Sequence, residues 1–410
     1  MKHIPIILAQ HIEDAAVLWE RRRRAVDAPH YNRMYLGRLD EQLEAHLDGL
    51  RIAGTAGWDE AVAAFEDIGG GGEMFTAAHL AFGHHDTSLI PDAIEMIKTD
   101  PSELIGPAAS GIGWLHGSQL SGKVSPLLGS SNPVSRALGV TACAVHRVDP
   151  GKHMAAFLDD APGVRRRALR LAGEIGRVDL LPRVQELCTD TDPETAFWAM
   201  WTAVLLGDRG AALEGLSQIA TSDHARADDA LHVVLPAMGF AAGSSWLTTQ
   251  PVDANARKIK GYGILGDVGA VPWLIEQMAD DDLAQIAGQS YALITGADLE
   301  EEDLDRDQPD DAPDGPTDDP LDDDVDLDPD ENLAWASADH IAGHWHGIKG
   351  RFGAGAHILG RPANADSYQA CFVTGYQRQR RVAATWLAAG DPSAGMANWK
   401  VPVFNTWTQR

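Results

Sequence analysis

The stretch APGVRRRALRLAGEIGRVDLLPRVQELCTD fills 161–190, and TDPETAFWAMWTAVLLGDRGAALEGLSQIA fills 191–220. Both halves follow one plan: a proline near the start, a long apolar-periodic segment, a glycine, a turn, and a second, shorter periodic segment. Pro162 and Pro193 stand 31 positions apart, as do Gly176 and Gly207. Proline suits the first turn of a helix, where its missing N–H is not needed. Glycine suits the residue just past a helix end, where a positive φ is wanted. Each half therefore reads as a helical hairpin of about 30 residues, and repetition at that period marks a solenoid.

The period extends in both directions. First-helix endings fall at Gly83, Gly113, around His146, Gly176, Gly207, Gly239 and Gly266. VGAVPWLIEQM at 268–278 echoes VDLLPRVQELC at 178–188, with Pro182 and Pro272 three periods apart. The expected fold is all-α, with more than half of the residues helical: an elongated right-handed α-solenoid of helical hairpins, closed by helical caps. The expected layout is an N-terminal cap at 1–58, about seven hairpins at 59–297, an acidic insertion at 298–331 and a C-terminal cap at 332–410.

Composition agrees. The chain has 410 residues, 44% of them hydrophobic, enough for a large core. Abundant Ala and Leu favour helix, and no sustained Val/Ile/Thr alternation suggests a sheet. Cys143, Cys188 and Cys371 lie far apart in apolar helical contexts, which fits free thiols in a reducing compartment. No secretory leader is evident, since IPIILAQHIEDA turns polar too soon, and no apolar run is long enough to span a membrane. The expected location is the cytoplasm.

The net charge of −27 is unevenly spread. From Asp298 to Glu331 there are 19 acidic residues, one arginine and five prolines. Such a segment self-repels and buries little, so it is expected to lack regular structure and to add little stability. Asp322, Asp324, Asp326 and Asp328 alternate as in a calcium loop. Leu327 and Leu333 stand where that loop needs its glycine and its glutamate.

Residues 6–27 read as one amphipathic helix ending in Arg21–Arg24, a cationic helix end that suits the helix dipole. Overall acidity argues against a nucleic-acid role. Leu36, Leu39, Leu43, Leu47 and Leu50 form one face of a second helix. Near the C-terminus, NLAWASADHIAGHWHGIKGRF reads as one helix, SYQACFVTGYQRQRRVAATWLAAG as another, and KVPVFNTWTQR as extended.

ILAQHIEDAAVLWERRRRAVDAPHY and LGRLDEQLEAHLDGLRIAGTAGW resemble the N-terminus of a bacterial family of HEAT-repeat proteins encoded beside type VI secretion genes. DPETAFWAMWTAVLLGDR and LAQIAGQSYALITGADL resemble its repeats; LGRP, GYQRQRRVAA and VPVFNT resemble its tail. The resemblance spans nearly the whole chain apart from the acidic insertion. It implies a secretion-associated role and carries over no catalytic residues.

The repeats hold few chemical constellations. His84 and His85 are adjacent, which suits no shared ion. His340 and His344 share a helix face, but Ile341 replaces the glutamate of a metalloprotease motif. The chain has no His-Glu dipeptide of the kind that holds iron in HEAT-like hydroxylases. GGGGE at 69–73 lacks the Lys-Ser/Thr of a phosphate loop. No metal, cofactor or catalytic residue is therefore expected. Trp198, Trp201 and Trp273 are expected in the core. Arg165, Arg166, Arg167 and Arg170 make a basic spot on one repeat: some pair with acids of adjoining hairpins, and together they are the candidate docking site for an acidic protein. The expected function is a non-enzymatic scaffold, adaptor or chaperone for a type VI secretion effector, adaptor or spike component, without nucleic acid or membrane. The contact surface is expected on the second helices, 180–188, 211–220 and 270–278. An immunity protein against a co-encoded toxin and an enzyme with an unrecognised site remain as alternatives.

Overall fold

The computed structural model describes residues 4–251, 255–310 and 328–404. The fold is all-α, about 69% helical with 21 α-helices among the described residues. The one sheet among them pairs His357–Ile358 with Arg361–Pro362. Two compact units result. Met1–Asp27, Arg33–Leu206 and Pro392–Arg410 form the first; Ala28–Asn32 and Gly207–Asp391 form the second.

In the first unit, helices Pro5–Ala25, Arg33–Ala53 and Thr55–Ile68 precede a row of long helices: Gly71–Gly83, Pro101–Gly113, Pro133–His146, Pro162–Glu174 and Pro193–Leu205. Each long helix packs on the next. Short helices Leu89–Ile97, Ser125–Leu128, His153–Phe157 and Leu181–Glu186 fill the returns. The starts follow the sequence logic. Proline opens four of the long helices, and Asp100, Asn132 and Asp192 accept a hydrogen bond from the backbone of the first turn, satisfying a donor that has no partner inside the helix. Trp198 and Trp201 are buried as expected, whereas Trp273 is half-buried, with the Lys258 ammonium 5.3 Å from its ring. Near the N-terminus, Ala15, Trp19, Leu43, Leu47, Phe75 and Trp114 form one core cluster.

Two polar networks cross this unit. Arg22, from the four-arginine run, is buried and donates from Nε to Asp40 at 2.7 Å, while Arg23 and Arg24 pair with Glu20 on their own helix. His79 is fully buried. Arg51 must donate to it, so Nε2 accepts (3.0 Å) and the Nδ1–H faces Gly111 O at 3.3 Å. Burial first, then the Arg51 charge, hold this imidazole neutral down to about 3. An unfolded histidine binds a proton near pH 6.5. The unfolded chain therefore carries the extra proton between those values, and the stability held by neutral His79 is lost as pH falls from 6.5 toward 3. Thermal melts from pH 7.5 to 4.5 should show a steeper decline for the native protein than for His79→Gln; equal slopes would refute this linkage.

Residues 392–404 belong to this first unit although they come last in the chain. Met396 N donates to Glu174 O (2.8 Å) and Asn398 Nδ2 to Val145 O (3.0 Å). Both acceptors are carbonyls at helix ends, which lack partners within the helix. Gly176 follows the Glu174 helix with φ +70°, and a Cβ there would meet Pro392 O at 2.6 Å. This glycine ends the helix and also admits the returning chain. The 332–410 stretch expected to form one C-terminal cap is thus divided between the two units.

The second unit stacks Ala227–Met238, Asn255–Leu265 and Asp281–Thr295 in the same manner, with Ala211–Ala220, Phe240–Thr248 and Val271–Gln277 as short partners. Here too, later residues serve helix ends: Trp386 Nε1 donates to Ile264 O (2.8 Å), and Leu359 N and Gly360 N donate to Leu293 O and Ile294 O (2.8 and 3.0 Å). The helix expected over 367–390 is in fact two, Ala365–Thr374 and Gln377–Gly390. Gly375 breaks it in extended conformation, with no room for a Cβ against Cys371 O. Ala338–Ile348 is the helical part of the preceding stretch.

The acidic stretch departs from its expected character at its start. Leu299 and Leu304 are buried, Leu304 O accepts from Ser337 N at 2.9 Å, and Arg306 N donates to Trp335 O at 2.8 Å. Two leucines and one arginine supply the burial and pairing that the charge count hides. Asp322, Asp324 and Asp326 lie outside the described residues.

Candidate functional site

Helix Pro162–Glu174 packs between Pro133–His146 and Pro193–Leu205. Its apolar face, Val164, Ala168, Leu169, Leu171 and Ala172, is buried. This leaves Arg165, Arg166, Arg167 and Arg170 around its other sides, and the structure gives each a different environment.

Arg165 is committed to the fold. Its Nη1 donates to Asp190 Oδ2 at 2.8 Å and its Nη2 to Asp160 O at 3.1 Å. Asp160 itself takes two 2.6 Å bonds from Arg136, which hold its carboxyl below the usual range. Arg166 reaches outward. It donates to Pro162 O at 3.3 Å and lies 3.9 Å from Asp192, whose carboxylate caps the next long helix through Thr195. Arg170 donates from Nε to Glu174 at 2.9 Å, and its guanidinium stands 5.0 Å over the Trp198 ring. Glu174 is buried and is shared with Arg147 at 2.6 Å.

Arg167 differs from its neighbours. It is half-buried and has no hydrogen bond or ion pair among the described residues; its Nε, like that of Arg165, is shielded from solvent without a partner. Burial, then Arg170, then Arg166 push its guanidinium down to about 10. A desolvated cation beside two like charges favours an incoming anion. A guanidinium fork matches a carboxylate through two parallel hydrogen bonds. The sequence marks the four arginines but not their partners. Glu174, four residues after Arg170, is the one partner that helical spacing signals. Asp190 and Asp160 come from neighbouring turns.

The other candidates are engaged in the fold or stand at the surface. His344 Nδ1 lies 2.7 Å from the Tyr291 hydroxyl and its Nε2 3.3 Å from Glu302, so it does not share a ligand with the exposed His340. His84 and His85 lie near the surface with their ring centroids 4.3 Å apart and their planes tilted by 36°. No group of three metal-ligating side chains occurs among the described residues. Cys143 and Cys371 are buried, and burial pushes their thiols up to about 11 and about 12. No helix among the described residues is long and apolar enough to cross a membrane.

No curated protein and no solved structure matches the chain. Residues 152–233 match the family model for HEAT repeats, a span that contains both helix Pro162–Glu174 and helix Pro193–Leu205. The arginine face therefore lies in a stretch similar to HEAT-repeat proteins, within an all-α solenoid of helical hairpins.

Proposed function

We propose that this protein is a non-enzymatic binding scaffold that holds another protein by an acidic segment laid across Arg166, Arg167 and Arg170. Arg167 carries the reading: a half-buried guanidinium with no counter-charge among the described residues, beside two more cations. HEAT-like stacks present extended surfaces to other proteins. The arginine face stands on a long first helix rather than on the short second helices. The sequence resemblance supports a partner among type VI secretion effectors, adaptors or spike components, met in the cytoplasm.

Co-expression with the products of neighbouring secretion genes, followed by titration of the complex obtained, tests this. Arg167→Met should weaken the complex about tenfold or more, because it removes one side of a desolvated charge pair. The same change should leave the melting temperature equal or higher, since an unpaired cation is removed from a half-buried site. Lys98→Glu, at the end of the short helix Leu89–Ile97 where Lys98 pairs with Glu95, should leave binding intact. A complex indifferent to Arg167→Met and Arg170→Met would remove this face from the interface. Loss of self-protection against a neighbouring toxin in a deletion strain, with secretion unchanged, would turn the scaffold reading into an immunity one.

A further inference from the structure

One contact of residues 392–404 reaches the arginine face. Glu174 is 3% exposed, and both oxygens of its carboxylate are taken. Oε1 accepts from Arg170 Nε at 2.9 Å and Oε2 from Arg147 Nη1 at 2.6 Å. The backbone carbonyl of Glu174 accepts from Met396 N at 2.8 Å, and Met396 O accepts from Arg147 Nε at 3.2 Å. The buried Met396 is thus gripped at both its backbone polar groups by the two residues that also meet at the carboxylate. Gly395, just before it, has φ +73°, and a Cβ there would meet Glu174 O at 2.8 Å. All of these residues belong to the first unit.

A buried carboxylate needs its counter-charges, and here Arg147 and Arg170 share that task. Arg147 stands at φ +53°, a conformation that a residue other than glycine keeps only while its surroundings hold it. Met396 O is one of those holds.

With Arg166, Arg167 and Arg170 read as the docking face, we propose that Glu174 is a positioning residue of that face and that the seating of Met396 controls it. With Met396 seated, Arg147 balances Glu174, and Arg170 is presented to the carboxylates of the acidic partner. With Met396 displaced, Arg147 relaxes away, and Glu174 draws Arg170 in as its remaining counter-charge. Glu174 and the partner compete for one guanidinium, so what the first gains the second loses. The C-terminal residues are then part of the docking site without touching the partner.

The test titrates the full chain with hexaglutamate at low ionic strength and follows the Nε–H resonances of Arg170 and Arg136. Gly395→Ala should move the Arg170 resonance even without peptide. It should leave the resonance of Arg136, which is held by Asp160, and weaken hexaglutamate at least fivefold. Glu174→Gln should strengthen the peptide at least twofold, because a competing anion is gone. In the Glu174→Gln background, Gly395→Ala should lose its effect on binding, which a general loosening of the fold would not produce. An Arg170 resonance that Gly395→Ala leaves in place overturns the proposal, whatever the peptide does. So does an undiminished fivefold loss in the Glu174→Gln background. Binding indifferent to Arg167→Met, with the Arg170 resonance moved by Gly395→Ala, counts against the docking reading and upholds the hold of Met396 on Arg170.

Discussion

Trp201→Ala should cost about 3–5 kcal/mol, the range for deleting a large buried aromatic side chain. Trp201 is 5% exposed, on the helix Pro193–Leu205. Its indole lies across the seam with the helix Pro162–Glu174. A Cβ placed on Gly173 would come within 3.2 Å of the ring. Trp198 meets it edge-on at 5.5 Å between centroids. The surrounding helices cannot close such a gap without moving the stack, so both transfer and cavity terms apply. Urea unfolding followed by circular dichroism measures the cost. A loss below about 1 kcal/mol, typical of a surface substitution, would mean that this seam is not the core of the repeat.

Asp40→Ala should be comparably damaging, about 3–5 kcal/mol, because it leaves a buried cation without its counter-charge. Asp40 is fully buried and binds Arg22 Nε through one oxygen and Val403 N through the other, both at 2.7 Å. Arg22 also donates to Lys400 O at 3.0 Å and lies 5.1 Å over Trp114. The mutation therefore strands a guanidinium and a backbone N–H together. The double variant Arg22→Met with Asp40→Leu should recover most of the loss, since an apolar pair can replace a buried ion pair at little cost. Unfolding of the four proteins as a double-mutant cycle gives the coupling directly. Near-additive single effects would show that the pair is not the unit that matters.

The hairpins were legible because proline and glycine act through their own covalent geometry, wherever they fall. The clearest interruption of the pattern has a visible cause. At 147 the chain takes a positive φ of 53° with arginine in place of glycine. Arg147 binds Ala144 O at 2.7 Å and Glu174 at 2.6 Å, contacts that hold the strained residue in place. The path of the C-terminal residues was not legible. They are held largely through backbone carbonyls at helix ends, and a carbonyl looks the same in every residue. Gly375 was read as part of a helix because a lone glycine tells little about its own φ and ψ. At the arginine face the residue types were plain. Which guanidinium stays unpaired depends on Asp190 and Asp160, which only folding brings to Arg165.

The docking of residues 392–404 on the first unit has a consequence for how the chain is made. In a simple repeat array each hairpin can settle as soon as its neighbour exists. Here Val145 O, Glu174 O and Asp40 await donors that are synthesised only after residues 207–391. Until then the ribosome presents an early helical array with helix ends exposed and Arg22 short of one acceptor. The first unit is thus begun first and finished last, and it spends the synthesis of the second as an open intermediate.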